Sequence, residues 1–296
     1  MHVNKPRPNS VTPLFLLVWV LVGSVLGTIK TRAQSQDGLF AVFTTNAGKF
    51  TCELYFKRAP RTVANFVSLA EGTRPWADFK QAKVSHAPYY DGNTFHRVVK
   101  GFVIQAGSPN GTGTDGPGYR FRDELHADLK HDRAGILSMA KTSQPHTNGS
   151  QFFVTLAETP WLDNVHSVFG AVIEGQSVVD TIGQTATDGN SRPTTPQIIE
   201  SIQIVRNGSE AQNFDVHSVD PPLPVVRSVP IQITRTDAGL DLIWEAKEDH
   251  EYHAFFTEDL KTWRVQTLAP VGRADLDSFL KEFPTQFYHF IEAERD

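Results

Sequence analysis

The stretch "TFHRVVKGFVIQAG", Thr94 to Gly107, sets an arginine and a glutamine in an otherwise apolar hairpin. Two alternating runs flank a Lys100-Gly101 turn. Phe95, Arg97 and Val99 therefore share one face of the first strand, and Val103 and Gln105 share one face of the second. A guanidinium stays protonated and presents a rigid fork of donors. In apolar surroundings such a group can act on a developing electron pair without a nucleophile or a metal. A solvated Arg and Gln on an edge hairpin would fit the same residues, so the hairpin alone leaves both readings open.

Other candidate chemistries are weaker. Cys52 is the only cysteine, which excludes an intramolecular disulfide, and it lies in the alternating run "KFTCELYF", where a small buried apolar residue is expected. Gly111-Thr-Gly113-Thr-Asp-Gly116 matches a dinucleotide fingerprint in form, but Pro117-Gly118 follows where a helix must open. The eleven histidines include no pair at a metal-binding helical spacing with a nearby acid. Ser150, His166 and Asp163 could be assembled into a triad, yet no G-x-S-x-G elbow surrounds the serine.

The elements that position these residues are mostly strands. "LFAVFTTNAGKFTCELYF" reads as two strands about Asn46-Ala47-Gly48. Pro60 suits the first turn of a helix carrying Val63, Phe66, Val67 and Ala70 at helical spacing. A polar insertion spans 72–88, and "GSPNGTGTDGPG" is a long loop. Strands recur at "GILSMA", "QFFVTL", "SVFGAV" and "QIIESIQIV", with a short helix near Val178 to Ile182. Many strands and two helices predict a mainly β domain, an antiparallel barrel or sandwich with helical caps, over 39–206. Residues 207–224 read as a proline-rich linker, and alternation restarts over 225–296 as a small β-sandwich-like module interrupted by a helical loop at Arg273 to Phe283.

The first 33 residues hold four bases and no acid, and the remainder carries a net charge of −9. That sign excludes a nucleic-acid binder, which needs clustered Lys and Arg. Lys5 and Arg7 precede the apolar run "LFLLVWVLVGSVL", a pattern expected of an export signal over residues 1–33 that is cleaved after Gly27 or Ala33. An uncleaved membrane anchor is the alternative, although the run is shorter than the roughly 20 residues that span a bilayer.

"FHRVVKGFVIQAG" together with "GILSMAKTSQPHTNGSQFFVTLAETPWLDNVHSVFG" strongly resembles the cyclophilin family of peptidyl-prolyl isomerases, and "PYYDGNTFHRV" with the insertion before it looks like bacterial members. The resemblance implies a closed eight-stranded antiparallel barrel capped by two helices, proline-containing polypeptides as substrates, cyclosporin as an inhibitor, and no cofactor. It implies that Arg97 points into a shallow groove, oriented by Gln105, with Phe102 and His166 beside it. Phe102, Val103, Phe153, Leu162 and His166 would line the proline pocket, and Ala140, Lys141, Gln151 and Trp161 the neighbouring groove. Two residues depart from the family pattern: Val103 stands for the commoner methionine, and Lys141 for a frequent asparagine in a loop one residue longer. A prolyl-peptide binding or chaperone module with little turnover is the alternative. The carboxy-terminal "YHAFFTEDLKTW" and "FYHFIEA" look similar to small β-sandwich modules of exported bacterial proteins, which implies a structural or adhesive role rather than catalysis and leaves the partner open.

Overall fold

The computed structural model describes Met1 and residues 37–236, 239–257, 263–268, 272–275 and 287–294. The expected export signal lies, Met1 apart, outside these residues. Strand β1 (Gly38–Thr45) turns tightly into β2 (Gly48–Leu54), with Leu39 opposite Leu54 and Thr45 opposite Gly48. The turn is held by the Thr45 hydroxyl, which donates to the Gly48 carbonyl at 2.7 Å and accepts from the Ala47 amide at 3.2 Å. Phe43 and Phe50 stack with ring centres 4.4 Å apart inside the barrel, and Cys52 is fully buried beside them in the core. Burial pushes the Cys52 thiol pKa well up, as expected for a packing residue rather than a nucleophile.

The barrel continues through β5 (Arg97–Val99), β6 (Val103–Ala106), β7 (Ile136–Met139), β8 (Phe152–Thr155), β9 (Val168–Glu174) and β10 (Ile199–Asn207). Its eight strands run antiparallel in the order β10-β1-β2-β9-β7-β8-β6-β5. A bridge between Thr94 and Ile198 closes the seam, with Phe95 N–H donating to Gln197 O and Ile199 N–H to Asn93 O, both at 2.8 Å. Helix α1 (Pro60–Glu71) starts on its proline and plugs one end with Val63, Phe66 and Val67, all fully buried. It stops at Gly72, which is left-handed at φ 69° and packed so closely that a Cβ would lie 2.5 Å from the His86 carbonyl oxygen. Helix α2 (Gln176–Gly183) caps the barrel with Val179 and Ile182.

The 72–88 insertion forms a hairpin of its own, β3 (Trp76–Asp78) against β4 (Lys83–Ser85), with Phe79 at its tip. The stretch expected as a free linker is instead packed. Residues Gly208–Gln212 form a short helix, α3, and Ala211, Val216 and Leu223 are buried. Arg61 and Arg74 of the barrel each donate to a carbonyl of this proline-rich run, on Pro222 and Pro224, at 2.8 Å. Prolines break secondary structure, but their carbonyls still accept hydrogen bonds.

Beyond it lie two small sheets. One has the order β11 (Val226–Ser228), β17 (Phe287–Glu294), β14 (His250–Thr257), β15 (Arg264–Leu268). The other has the order β12 (Gln232–Thr236), β13 (Gly239–Ile243), β16 (Arg273–Asp275). Alternation divides the first sheet's faces. Tyr252, Ala254 and Phe290 pack with Leu242 and Trp244, while Phe255, Ile291 and Ala293 join the core that runs into the barrel. Arg273–Asp275 is a strand where a helical loop was expected, and 276–283 falls outside the described residues.

Candidate functional site

Strand register aligns the site. Arg97 of β5 pairs with Gln105 of β6, Gln105 with Phe153 of β8, and Phe153 with Ser138 of β7, so these four share one row. Their neighbours Val98, Ile104, Phe152 and Val154 point the other way and fill the core.

A chain of side-chain amides then fixes the guanidinium. Arg97 Nη1 donates to Gln105 Oε1 at 3.1 Å, and Gln105 Nε2 donates to Gln151 Oε1 at 3.0 Å. Gln151 Nε2 donates to the Gly113 and Asp115 carbonyls at 3.0 and 2.9 Å. Carbonyl oxygens only accept, so the two loop carbonyls dictate which way Gln151 faces, Gln151 dictates Gln105, and Gln105 presents an oxygen to Arg97. The guanidinium carbon lies 6.0 Å from the centre of the Phe102 ring.

Next to Arg97 the surface is apolar. Val103 is 2% and Phe153 5% exposed. The Phe102 ring stacks loosely on Trp161 at 6.0 Å, and Phe153 meets His166 edge to face at 5.5 Å. Trp161 and Leu162 sit on a single 3-10 turn that begins at Pro160, and Trp161 is 65% exposed. His166 Nδ1 lies 2.9 Å from the Met139 carbonyl. A carbonyl cannot donate, so Nδ1 carries the proton and Nε2 is left as the acceptor. Burial, the largest cause, lowers the His166 pKa, which keeps the ring neutral.

Ala140 stands at the groove, its N–H donating to Gln151 O at 2.9 Å. Lys141 beside it turns its side chain away. Its ammonium lies 3.1 Å from Asp123 Oδ2, and both side chains are nearly buried. Desolvation raises the Asp123 pKa, but bonds from the His146 N–H, Lys141 and Asn148 outweigh it and bring the pKa below its usual value. The departure at Lys141 thus anchors the longer loop instead of contributing a side chain to the groove.

Ser150, His166 and Asp163 do not form a triad. The Ser150 hydroxyl is engaged with Tyr89 and Gly107 O, and Asp163 is bound to His131. A Ser-His-Asp chain exists elsewhere, with His131 Nδ1 3.0 Å from Asp163 Oδ1 and His131 Nε2 3.0 Å from Ser138 Oγ. Ser138 and His131 are fully buried, so this chain braces the wall rather than attacking a substrate, and the His131 ring stacks behind Phe153 at 5.9 Å. No short motif joins these three residues, and only the fold reveals them.

The family model for cyclophilin type peptidyl-prolyl cis-trans isomerase/CLD matches residues 40–204. Peptidyl-prolyl cis-trans isomerase A of Mycobacterium tuberculosis is 51% identical over 166 residues, which are 55% of this chain and 91% of the relative. Peptidyl-prolyl cis-trans isomerase B of Streptomyces anulatus is 44% identical over 171 residues, covering 57% of this chain and 97% of the relative. A crystal structure of a cyclophilin-type isomerase from Cryptosporidium parvum superposes with a TM-score of 0.50 at 34% identity, covering 57% of this chain and 98% of that one. The same protein has been solved in the presence of the dipeptide Ala-Pro. The chain belongs to the family of cyclophilin-type peptidyl-prolyl cis-trans isomerases. Its enzymatic activity is accordingly peptidyl-prolyl cis-trans isomerisation.

Proposed function

We propose that Arg97 catalyses rotation about X–Pro bonds by stabilising the twisted amide, acting on proline-containing segments of exported proteins. The planar amide resists rotation with a barrier of about 18–20 kcal/mol because the C–N bond is conjugated. Twisting breaks the conjugation and leaves the proline nitrogen with an available lone pair. A guanidinium aimed at that nitrogen is bound better in the twisted state than in the ground state, and this difference lowers the barrier. Phe102, Val103, Phe153, Leu162 and His166 hold the ring in a dry pocket, where the charge–dipole attraction is screened less than in water. Uncatalysed exchange takes tens to hundreds of seconds, so a turnover of about 10 per second asks for about three decades, or roughly 4 kcal/mol.

The observation that carries this reading is the amide chain that holds Arg97 beside an apolar pocket. Arg97→Ala is expected to lower the rate at least about tenfold in a prolyl-peptide exchange assay while the fold persists; an unchanged rate in a folded variant refutes it. Ala140 and Gln151 extend the groove, and Trp161 at its rim suits cyclosporin. Export is supported by the basic residues and apolar run at the amino end. Mass spectrometry of the exported protein is expected to find residues 1–27 or 1–33 missing, and an intact terminus in a membrane fraction favours the anchor.

A further inference from the structure

A cleft of about 630 Å³ opens between the barrel and the carboxy-terminal sheet. Gln105, Ala140 and Gln151 line its near side, which makes it continuous with the groove beneath Arg97. Its far wall does not belong to the barrel. Glu251 and His253 of β14 and Val265 of β15 form it.

This wall is fastened in place. Phe79, at the tip of the inserted hairpin, lies edge to face on His253 at 5.4 Å and packs against Phe255 at 5.6 Å. Phe255, Ile291 and Ala293 continue into the barrel's core, so the sheet rests on a packed base. His253 is buried, with Nε2 3.7 Å from Glu251 Oε1, so the open surface is that of Glu251 and Val265. Val265 is 47% exposed, and the Glu251 side chain is 30% exposed. Arg120 faces the cleft from the barrel side. Carboxylate, guanidinium and apolar groups therefore surround a space within the ~300–1,000 Å³ range that encloses ligands of a few residues' size.

We propose that the carboxy-terminal module, by walling this cleft, selects prolyl substrates on the polypeptide that flanks the proline, through Glu251 and Val265. The proposal rests on the isomerase reading of the groove. An extended chain advances about 3.3 Å per residue, so residues a few positions from a seated proline must leave the pocket, and one of the two exits runs past Gln105 and Gln151 into this cleft. A mixed polar and apolar lining suits a peptide backbone with its side chains. The module is then a specificity element: it alters affinity for long substrates and leaves bond rotation to the barrel.

The test uses the full chain and three fluorescent peptides: a short Ala-Pro peptide, and the same peptide extended on its amino or its carboxyl side. Affinity is read by anisotropy, and turnover by prolyl exchange. In Glu251→Ala/Val265→Ala, one of the extended peptides is expected to bind about fivefold or more weakly, while the short peptide keeps its affinity and turnover within about twofold. Val265→Trp, at an exposed position, narrows the cleft and should produce the same selective loss; it serves if the double variant folds poorly. Unchanged affinity for both extended peptides in the folded variants overturns the proposal, as does an equal loss for all three. Failure of the isomerase reading is seen separately, as an absence of turnover in the wild type with every peptide.

Discussion

Gln105→Leu tests whether the amide chain acts on catalysis or only on packing. The leucine keeps the volume but removes the acceptor 3.1 Å from Arg97 Nη1 and the donor 3.0 Å from Gln151 Oε1. A hydrogen bond to a charged group contributes about 1.5–3 kcal/mol, and a neutral one about 0.5–1.5 kcal/mol. Arg97 is only half-buried, so water recovers part of the first bond. What is not recovered is the aim of the guanidinium, and we expect about 1–2 kcal/mol to be lost from the transition state alone, a fall in kcat of about five- to thirtyfold. KM should hardly move, because the proline ring rests on Phe102, Val103 and Phe153. In an Arg97→Ala background the same substitution should have no further effect, since nothing remains to be aimed. Prolyl exchange measured by magnetisation transfer on all four proteins gives the cycle. Equal kcat in folded Gln105→Leu, or effects that simply add, would refute the reasoning.

Three further outcomes are expected. Trp161→Ala should weaken inhibition by cyclosporin by roughly thirtyfold, about 2 kcal/mol for one hydrogen bond and a ring contact, while turnover changes far less; titrating both forms decides, and equal inhibition constants reject the role. A barrel ending at Arg206 should keep its turnover on short peptides but melt about 10 °C or more below the full chain, because Arg61 and Arg74 lose carbonyl partners and the shared core is cut; an unchanged melting temperature would show that the packing contributes nothing. His96, His131, His166 and His253 all have lowered pKa values, burial being the largest cause in each. The unfolded chain binds those protons near pH ~6.5, so stability is full above that pH and is lost as pH falls toward the lower folded-state values. Thermal melts at pH 7.5 and 5 should differ in that direction, and equal midpoints would contradict it.

Much of the barrel was legible because its strands alternate. Leu39, Ala41 and Phe43 point inward at spacing two on β1, as do Phe50, Cys52 and Leu54 on β2, and Val63, Phe66 and Val67 mark a helix face. The candidate site was read for a different reason, the resemblance of two long motifs; of the residues they name, Arg97, Gln105 and Phe153 lie in one row of paired strands. Three things were hidden. Residues 207–224 have no periodicity, and their packing depends on carbonyl oxygens that no side-chain pattern reports. The His131–Asp163–Ser138 chain joins residues without a common motif. Lys141 reads as a groove residue until Asp123, distant in sequence, is found beneath it. Each of these is a contact between separate segments, which local propensity does not encode.

The seam at Thr94 and Ile198 sets the order in which the molecule can form. β1 finds β2 across a two-residue turn, but its other edge pairs with β10, with Gly38 opposite Asn207. Until the segment 197–207 has been synthesised, both β1 and the start of β5 have open edges, and no barrel exists to enclose α1. Such a topology depends on pairings between distant residues, which are slower to form than local ones. A ribosome must release almost the whole barrel sequence before the first strand is satisfied. Were the chain exported, as proposed above, the barrel would stay unclosed until its last strand had followed the first.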